Sequence, residues 1–181
     1  MPGSGGSRRA WGWHPLVDAW AARIVAGAAV RPGELVLDVG AGAGALTAHL
    51  VRAGARVLAV EAHPRRAAAL RDRFAAAPVT VLELDAVALR LPRRPFRVVA
   101  NPPYAITSEL LALLLAPGSA LTTADLVLQR AAVRRYAAGT TAAARRWARR
   151  WELTAGAALP RGAFAPPPKT DSALLHVRRR S

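Results

Sequence analysis

A short apolar segment at residues 34–39 runs without a break into Gly40-Ala41-Gly42-Ala43-Gly44, and a helical pattern follows at 45–51. Residues 56–60 form a second apolar segment that ends in Glu61. Strand, glycine turn, helix, strand is the opening unit of a parallel sheet covered by helices, and few other architectures admit it. The glycines permit a tight turn and close approach of a ligand to the backbone, at a helix N-terminus rich in free N–H groups. An acid at the tip of the second strand is placed to accept hydrogen bonds from two ribose hydroxyls. Together these features indicate an adenosine-containing ligand.

The spacing narrows the choice. It is Gly-x-Gly-x-Gly rather than the dinucleotide Gly-x-Gly-x-x-Gly. Nothing later resembles a second mononucleotide half, and no Lys-Ser/Thr pair makes a phosphate-cradling loop. S-adenosylmethionine, which carries no phosphate, fits better than NAD or ATP. A third strand at 79–84 leads into Asp85-Ala86, where the carboxylate is placed either to accept from the cofactor's adenine amine or to cap the next turn.

The fourth strand, 96–100, ends in Asn101-Pro102-Pro103-Tyr104. Two prolines cannot continue a ladder, so they fix the chain just past the strand's C-terminal end, where open α/β sheets bind ligands. The amide oxygen of Asn101 and the carbonyl of Pro102 can accept both N–H bonds of an exocyclic amine, with Tyr104 stacked on the ring. Such residues also favour plain turns. Asn101 is, however, the only asparagine in the chain, so this composition does not scatter Asn into turns.

Net charge is +15 and the pI is near 11.9, which implies a polyanionic partner, nucleic acid first. Only Lys169 among 26 basic residues is lysine, a sign of coding bias, yet acidic residues are scarce and the imbalance survives that discount. Cysteine is absent, excluding disulfides, thiolate metal sites and a cysteine nucleophile. No signal core or membrane-length apolar run is present, so the cytoplasm is expected, with no metal and a monomeric state.

The 181 residues suit one domain with a core, preceded by a flexible basic arm at 1–12. Trp11 and Trp13, beside Arg8 and Arg9, read equally as a phosphate-holding arm or a hydrophobic clamp. A helix is expected from Leu16 through Ile24, and others at 64–76, 110–115 and 131–137. Further strands are expected at 125–129, 151–159 and 173–177. The basic-aromatic stretch 140–150 reads as a mobile RNA-facing loop or a solvated helix face. Phe164, on a loop stiffened by Pro166, Pro167 and Pro168, either packs on a base opposite Tyr104 or belongs to loop core.

Asp38 through Gly42, Glu61, Asp85, Asn101 through Tyr104, and Phe164 through Pro168 with Asp171-Ser172-Ala173 resemble the rRNA adenine-N6 methyltransferases. The pattern is most similar to the Erm type that gives macrolide–lincosamide–streptogramin B resistance, in its short actinobacterial and mycobacterial members. The resemblance runs from about Trp13 to Val177. It implies a Rossmann-like class I methyltransferase fold, a seven-stranded mixed sheet with helices on both faces, as a single catalytic domain over 13–181 that lacks the family's C-terminal helical RNA-binding domain. It implies methyl transfer from S-adenosylmethionine to N6 of an adenine in the 23S rRNA peptidyl-transferase region, on naked RNA or a precursor large subunit. Carried over by position, His14, Leu16, Gly40, Gly42, Glu61, Asp85, Ala86 and Asn101 contact the cofactor, while Asn101, Pro102, Tyr104 and Phe164 act on the target base. The family's usual Gln-Asn-Phe-Leu is replaced here by Trp13-His14-Pro15-Leu16. A small-subunit rRNA dimethyladenosine transferase, a DNA adenine methyltransferase and a non-catalytic nucleic-acid-binding module are the alternatives.

Overall fold

The computed structural model describes residues 14–180; the basic arm at 1–12 and Trp13 lie outside the described residues. Seven strands share one sheet in the order β3-β2-β1-β4-β5-β7-β6. They are β1 Leu35–Val39, β2 Arg56–Val60, β3 Val79–Leu82, β4 Phe96–Ala100, β5 Leu121–Gln129, β6 Trp151–Leu159 and β7 Ser172–Arg179. The first five are parallel, and β7 runs antiparallel between β5 and β6. The helices are α1 Asp18–Ala28, α2 Ala45–Arg52, α3 Pro64–Arg73, α4 Thr107–Leu114, α5 Arg130–Ala137 and α6 Ala142–Trp147. This is the expected Rossmann-like mixed sheet of seven strands.

Side chains alternate across a strand, and here both faces are covered, so the central strands must be apolar throughout. Leu35, Leu37 and Val39 of β1, with Phe96, Val98 and Ala100 of β4, enter one core against α4 and α5. Val36, Val99 and Val127 point the other way, into a second core with α1, α2 and α3. Asp38 and Arg97 are the polar exceptions in those two strands. Among the described residues no helix is long and apolar enough to cross a membrane.

The boundaries differ from expectation where polarity misleads. β5 begins at Leu121, ahead of the apolar run, because Leu121 and Thr123 pair with β4 and the Thr122 and Thr123 hydroxyls bond the Phe96 carbonyl and Arg97. β3 stops at Leu82, and Glu83 and Leu84 leave the sheet toward Asp85. Two of the three terminal arginines belong to β7: Arg178 donates to Asp125, and Arg179 bonds the Leu121 carbonyl with its guanidinium over Trp151.

Candidate active site

Strand order reverses between β1 and β4, and ligands of open α/β sheets bind where such neighbours diverge, at the strands' C-terminal ends. At this front edge a small pocket is lined by Pro15, Leu16, Asp38, Gly40, Ala41 and Asn101 among others. Gly40 has φ +73, a left-handed conformation that side chains resist, and an added Cβ would sit 3.0 Å from Pro103 Cδ. The first glycine is therefore required by packing of the β1 turn against Asn-Pro-Pro. Gly44, at φ +87, is similarly closed by Phe74 of the segment after α3.

Most N–H groups of the glycine turn are already spent. Gly40 and Ala41 donate to the Val60 carbonyl, Gly44 to the Ala41 carbonyl, and Gly42 to Glu61 Oε2 at 2.9 Å. A turn so satisfied offers little to a pyrophosphate. What faces the ligand side is acceptor-rich instead, with Asp38, Glu61 and Asp85 at the tips of β1, β2 and β3. That acceptor set fits a phosphate-free, cationic nucleoside such as S-adenosylmethionine.

Glu61 is buried and its Oε1 accepts from the His63 backbone and Arg66. A carboxylate has about four lone-pair sites, so Oε2 retains one beyond Gly42. Asp85 is exposed and caps the short helical turn Ala86–Ala88 by accepting from the Val87 N–H at 3.1 Å; Ala86 is buried. Capping occupies only Oδ1 of Asp85 and leaves Oδ2 for another donor.

Asp38 received no role from its sequence position, yet it is the most perturbed group here. It is 1% exposed and accepts from the Thr47 hydroxyl at 2.6 Å. Burial pushes its carboxyl up to about 7, with a contribution from the neighbouring Glu61 charge and against the Thr47 hydrogen bonds. The available signal was an acid inside an otherwise apolar parallel strand, immediately before the glycine turn.

Asn101 is half-buried, and its Nδ2 donates to the His14 carbonyl at 2.9 Å. That bond leaves Oδ1 as the amide's free acceptor, beside the Pro102 carbonyl. His14 is held in turn by its ring: Nδ1 donates to the Pro166 carbonyl at 3.2 Å. Residues 14–17 run antiparallel to 163–166, with a Leu16–Phe164 bridge and bonds from Val17 to Ala163 and from Ala165 to Pro15. His14, Pro15 and Leu16 are thus docked between Asn101 and the proline loop, largely through main-chain bonds that tolerate substitution.

Tyr104 opens a short helical turn, and its hydroxyl shares a 2.6 Å hydrogen bond with buried Ser172. Burial raises its phenol, which the Ser172 bond opposes. The ring lies 6.5 Å from that of His14. Phe164 is 3% exposed and packs with Leu16 in the second core. The stretch 140–150 folds as α6 and the turn into β6, and reaches the opposite edge of the sheet from Asn101.

Residues 8–181 match the family model described as Ribosomal RNA adenine dimethylase. An rRNA methyltransferase of Streptomyces thermotolerans is 37% identical over 96% of this chain and 59% of its own length. The Ribosomal RNA small subunit methyltransferase A of Leifsonia xyli is 38% identical over 87% of this chain and 60% of its own. The crystal structure of 23S rRNA methyltransferase ErmE superposes with a TM-score of 0.84 at 32% identity, covering 92% of this chain and 70% of that one. A dimethyladenosine transferase from Plasmodium falciparum gives 0.80 at 25% identity, covering 92% and 64%. The chain thus spans about three fifths of the length of these curated relatives.

Proposed function

The chain belongs to the ribosomal RNA adenine dimethylase family, and from that premise we propose that it transfers a methyl group from S-adenosylmethionine to N6 of an adenine in 23S rRNA, within the peptidyl-transferase region. The observation that carries this reading is the orientation of Asn101: with its amide nitrogen held by the His14 carbonyl, its oxygen is presented as an acceptor at the front edge.

The cofactor supplies an electrophilic methyl group on a sulfonium centre. Glu61 would hold its ribose hydroxyls, Asp85 its adenine amine, and the cleft of Asp38, Gly40 and Leu16 its zwitterionic amino-acid end. The target amine is a poor nucleophile because its lone pair is delocalised into the ring. Asn101 Oδ1 and the Pro102 carbonyl accept its two N–H bonds, drawing the nitrogen toward tetrahedral geometry and freeing the lone pair. Those bonds strengthen as positive charge develops on nitrogen, so they favour the transition state over the ground state. Tyr104 stacks on the base, and Ser172 fixes the plane of its ring. A looped or single-stranded adenine costs least to unstack.

Macrolide, lincosamide and streptogramin B resistance is the physiological role that this target carries with it. The similar identity to a small-subunit methyltransferase favours a second reading, dimethylation of 16S rRNA. Separated 23S and 16S rRNA, incubated with labelled S-adenosylmethionine and mapped by primer extension, discriminate the two. Label confined to the 23S peptidyl-transferase loop is expected; label only in 16S moves the chain to the second reading.

A further inference from the structure

The sheet edge opposite Asn101 carries a trough of about 530 Å³. It is walled by four arginines, Arg31, Arg56, Arg94 and Arg97, against a single carboxylate, Glu34. That carboxylate is saturated: it accepts from the Arg31 backbone and side chain and from Arg97 at 2.8–3.2 Å. Arg97 also donates to Thr123 and to the Ala28 and Ala29 carbonyls at the C-terminus of α1, so the floor is rigid. Arg56 and Arg94 are exposed, and their guanidinium groups make no hydrogen bond or ion pair among the described residues.

The basic surface continues along this edge. The pairing of Trp151 with Arg179, and the Arg179 bond to the Leu121 carbonyl, bring Arg149, Arg150, Arg179 and Arg180 to the same side as Phe96 and Leu35. Guanidinium groups that bond backbone carbonyls keep their charge. Glu152, next to Trp151 at the start of β6, adds a carboxylate near this rim. From β2 to β6 the edge crosses five strand spacings, roughly 24 Å at ~4.8 Å each. A small anion would use one point of such a rim, whereas a polyanion uses its length.

We propose that this rear edge is a second RNA-binding surface that grips the phosphate backbone of a duplex segment, separate from the adenine held at the front. The proposal deepens the reading of the chain as an enzyme acting on RNA. A duplex is favoured over a single strand because the aromatic rings described near the rim are already packed: Trp151 is 2% exposed beneath Arg179, Phe96 is 1% exposed, and the half-buried Trp147 lies against Tyr136. The strand from Arg97 to Asn101 separates the two surfaces by roughly 13 Å. A folded RNA domain reaches both edges and a minimal hairpin reaches one.

The test uses a perfectly paired RNA of about 20 base pairs without a target loop, and the double variants Arg56→Gln/Arg94→Gln and Arg56→Glu/Arg94→Glu. Affinity for the duplex is expected to fall about tenfold in the neutral variant and further in the reversed one. The slope of log K against log salt should drop by roughly 2, one unit per lost phosphate contact. S-adenosylmethionine affinity should stay unchanged, since neither residue touches the front edge. Unchanged duplex affinity and salt slope would overturn the proposal, as would a parallel loss of cofactor binding. A wild-type protein that grips the duplex yet methylates no rRNA supports the rim while refuting the proposed reaction.

Discussion

Ser172 touches the Tyr104 hydroxyl at 2.6 Å, from a strand far along the chain. Its role is to hold the ring, not to meet the base. Ser172→Ala and Tyr104→Phe each remove that hydrogen bond, worth about 1 kcal/mol. Each should raise KM for RNA several-fold with cofactor affinity unchanged, and the double variant should cost no more than either alone. Steady-state kinetics on a fixed RNA substrate check this; additive losses would show that the two side chains act separately. Asp38 makes a prediction in pH. Its carboxyl, pushed up to about 7, is ionised only above neutrality, and a cationic ligand binds the ionised form. Affinity for S-adenosylmethionine should therefore rise as pH passes through 7, and Asp38→Asn should flatten the profile in a calorimetric titration. The stability term has the opposite sense. A folded pKa above the unfolded 3.8 favours the fold fully below 3.8, and that contribution is lost as pH rises through about 7.

At the scale of elements, the turn after β1 and the end of α1 are the two joints that position the site. Gly40→Ala places a side chain at φ +73 and against Pro103. The left-handed backbone alone costs about 1–2 kcal/mol, so the melting temperature should fall by roughly 2–8 °C, with transfer reduced because the Asn-Pro-Pro segment shifts. An unchanged melting curve would show that the turn relaxes freely. Behind it, Arg97 ties β4 to the carbonyls of α1 and to Glu34. Burial opposes ionisation of Glu34, but the Arg31 backbone N–H and the Arg97 and Arg31 guanidinium groups outweigh it and hold the carboxyl down to about 2. Its contribution to stability is present above the unfolded value of 4.5 and is lost as pH falls toward 2, the reverse of Asp38. Chemical denaturation at pH 6 and pH 3 should show Glu34→Gln destabilised at the first and closer to wild type at the second.

At this scale much was legible in the sequence. β4 and β6 occupy the expected residues because each is bounded by residues that cannot continue it, Asn-Pro-Pro in one case and Pro160 in the other. The start of β5 was not legible, because Thr122 and Thr123 look polar until Phe96 and Arg97 are seen to accept and donate beside them. Asp38 escaped for a related reason: its chemistry comes from burial, which neighbours in space create.

For the whole molecule, the largest gap between sequence and structure concerns where the charge lies. The stretch 140–150 reads in sequence as an RNA-facing loop or a solvated helix face, but the pairing of β6 with the antiparallel β7 carries its end, with Arg179 and Arg180, to the rear edge. Only the sheet's topology reveals that. The front edge instead collects Asn101, Tyr104 and three carboxylates from four parallel strands and the turns that follow them, with residues 14–17 and the proline loop closing over it. Chemistry at one edge and unspent arginine at the other is the arrangement from which the RNA reading follows.

The central claim is that Asn101 activates an adenine amine beside bound S-adenosylmethionine. It is tested most directly by incubating wild type and Asn101→Ala with labelled cofactor and rRNA, digesting the RNA to nucleosides, and titrating each protein with cofactor in parallel. The account predicts labelled N6-methyladenosine from wild type, a loss on the order of 10²-fold or more in the variant, and cofactor affinity largely retained. Undiminished transfer by Asn101→Ala would contradict it.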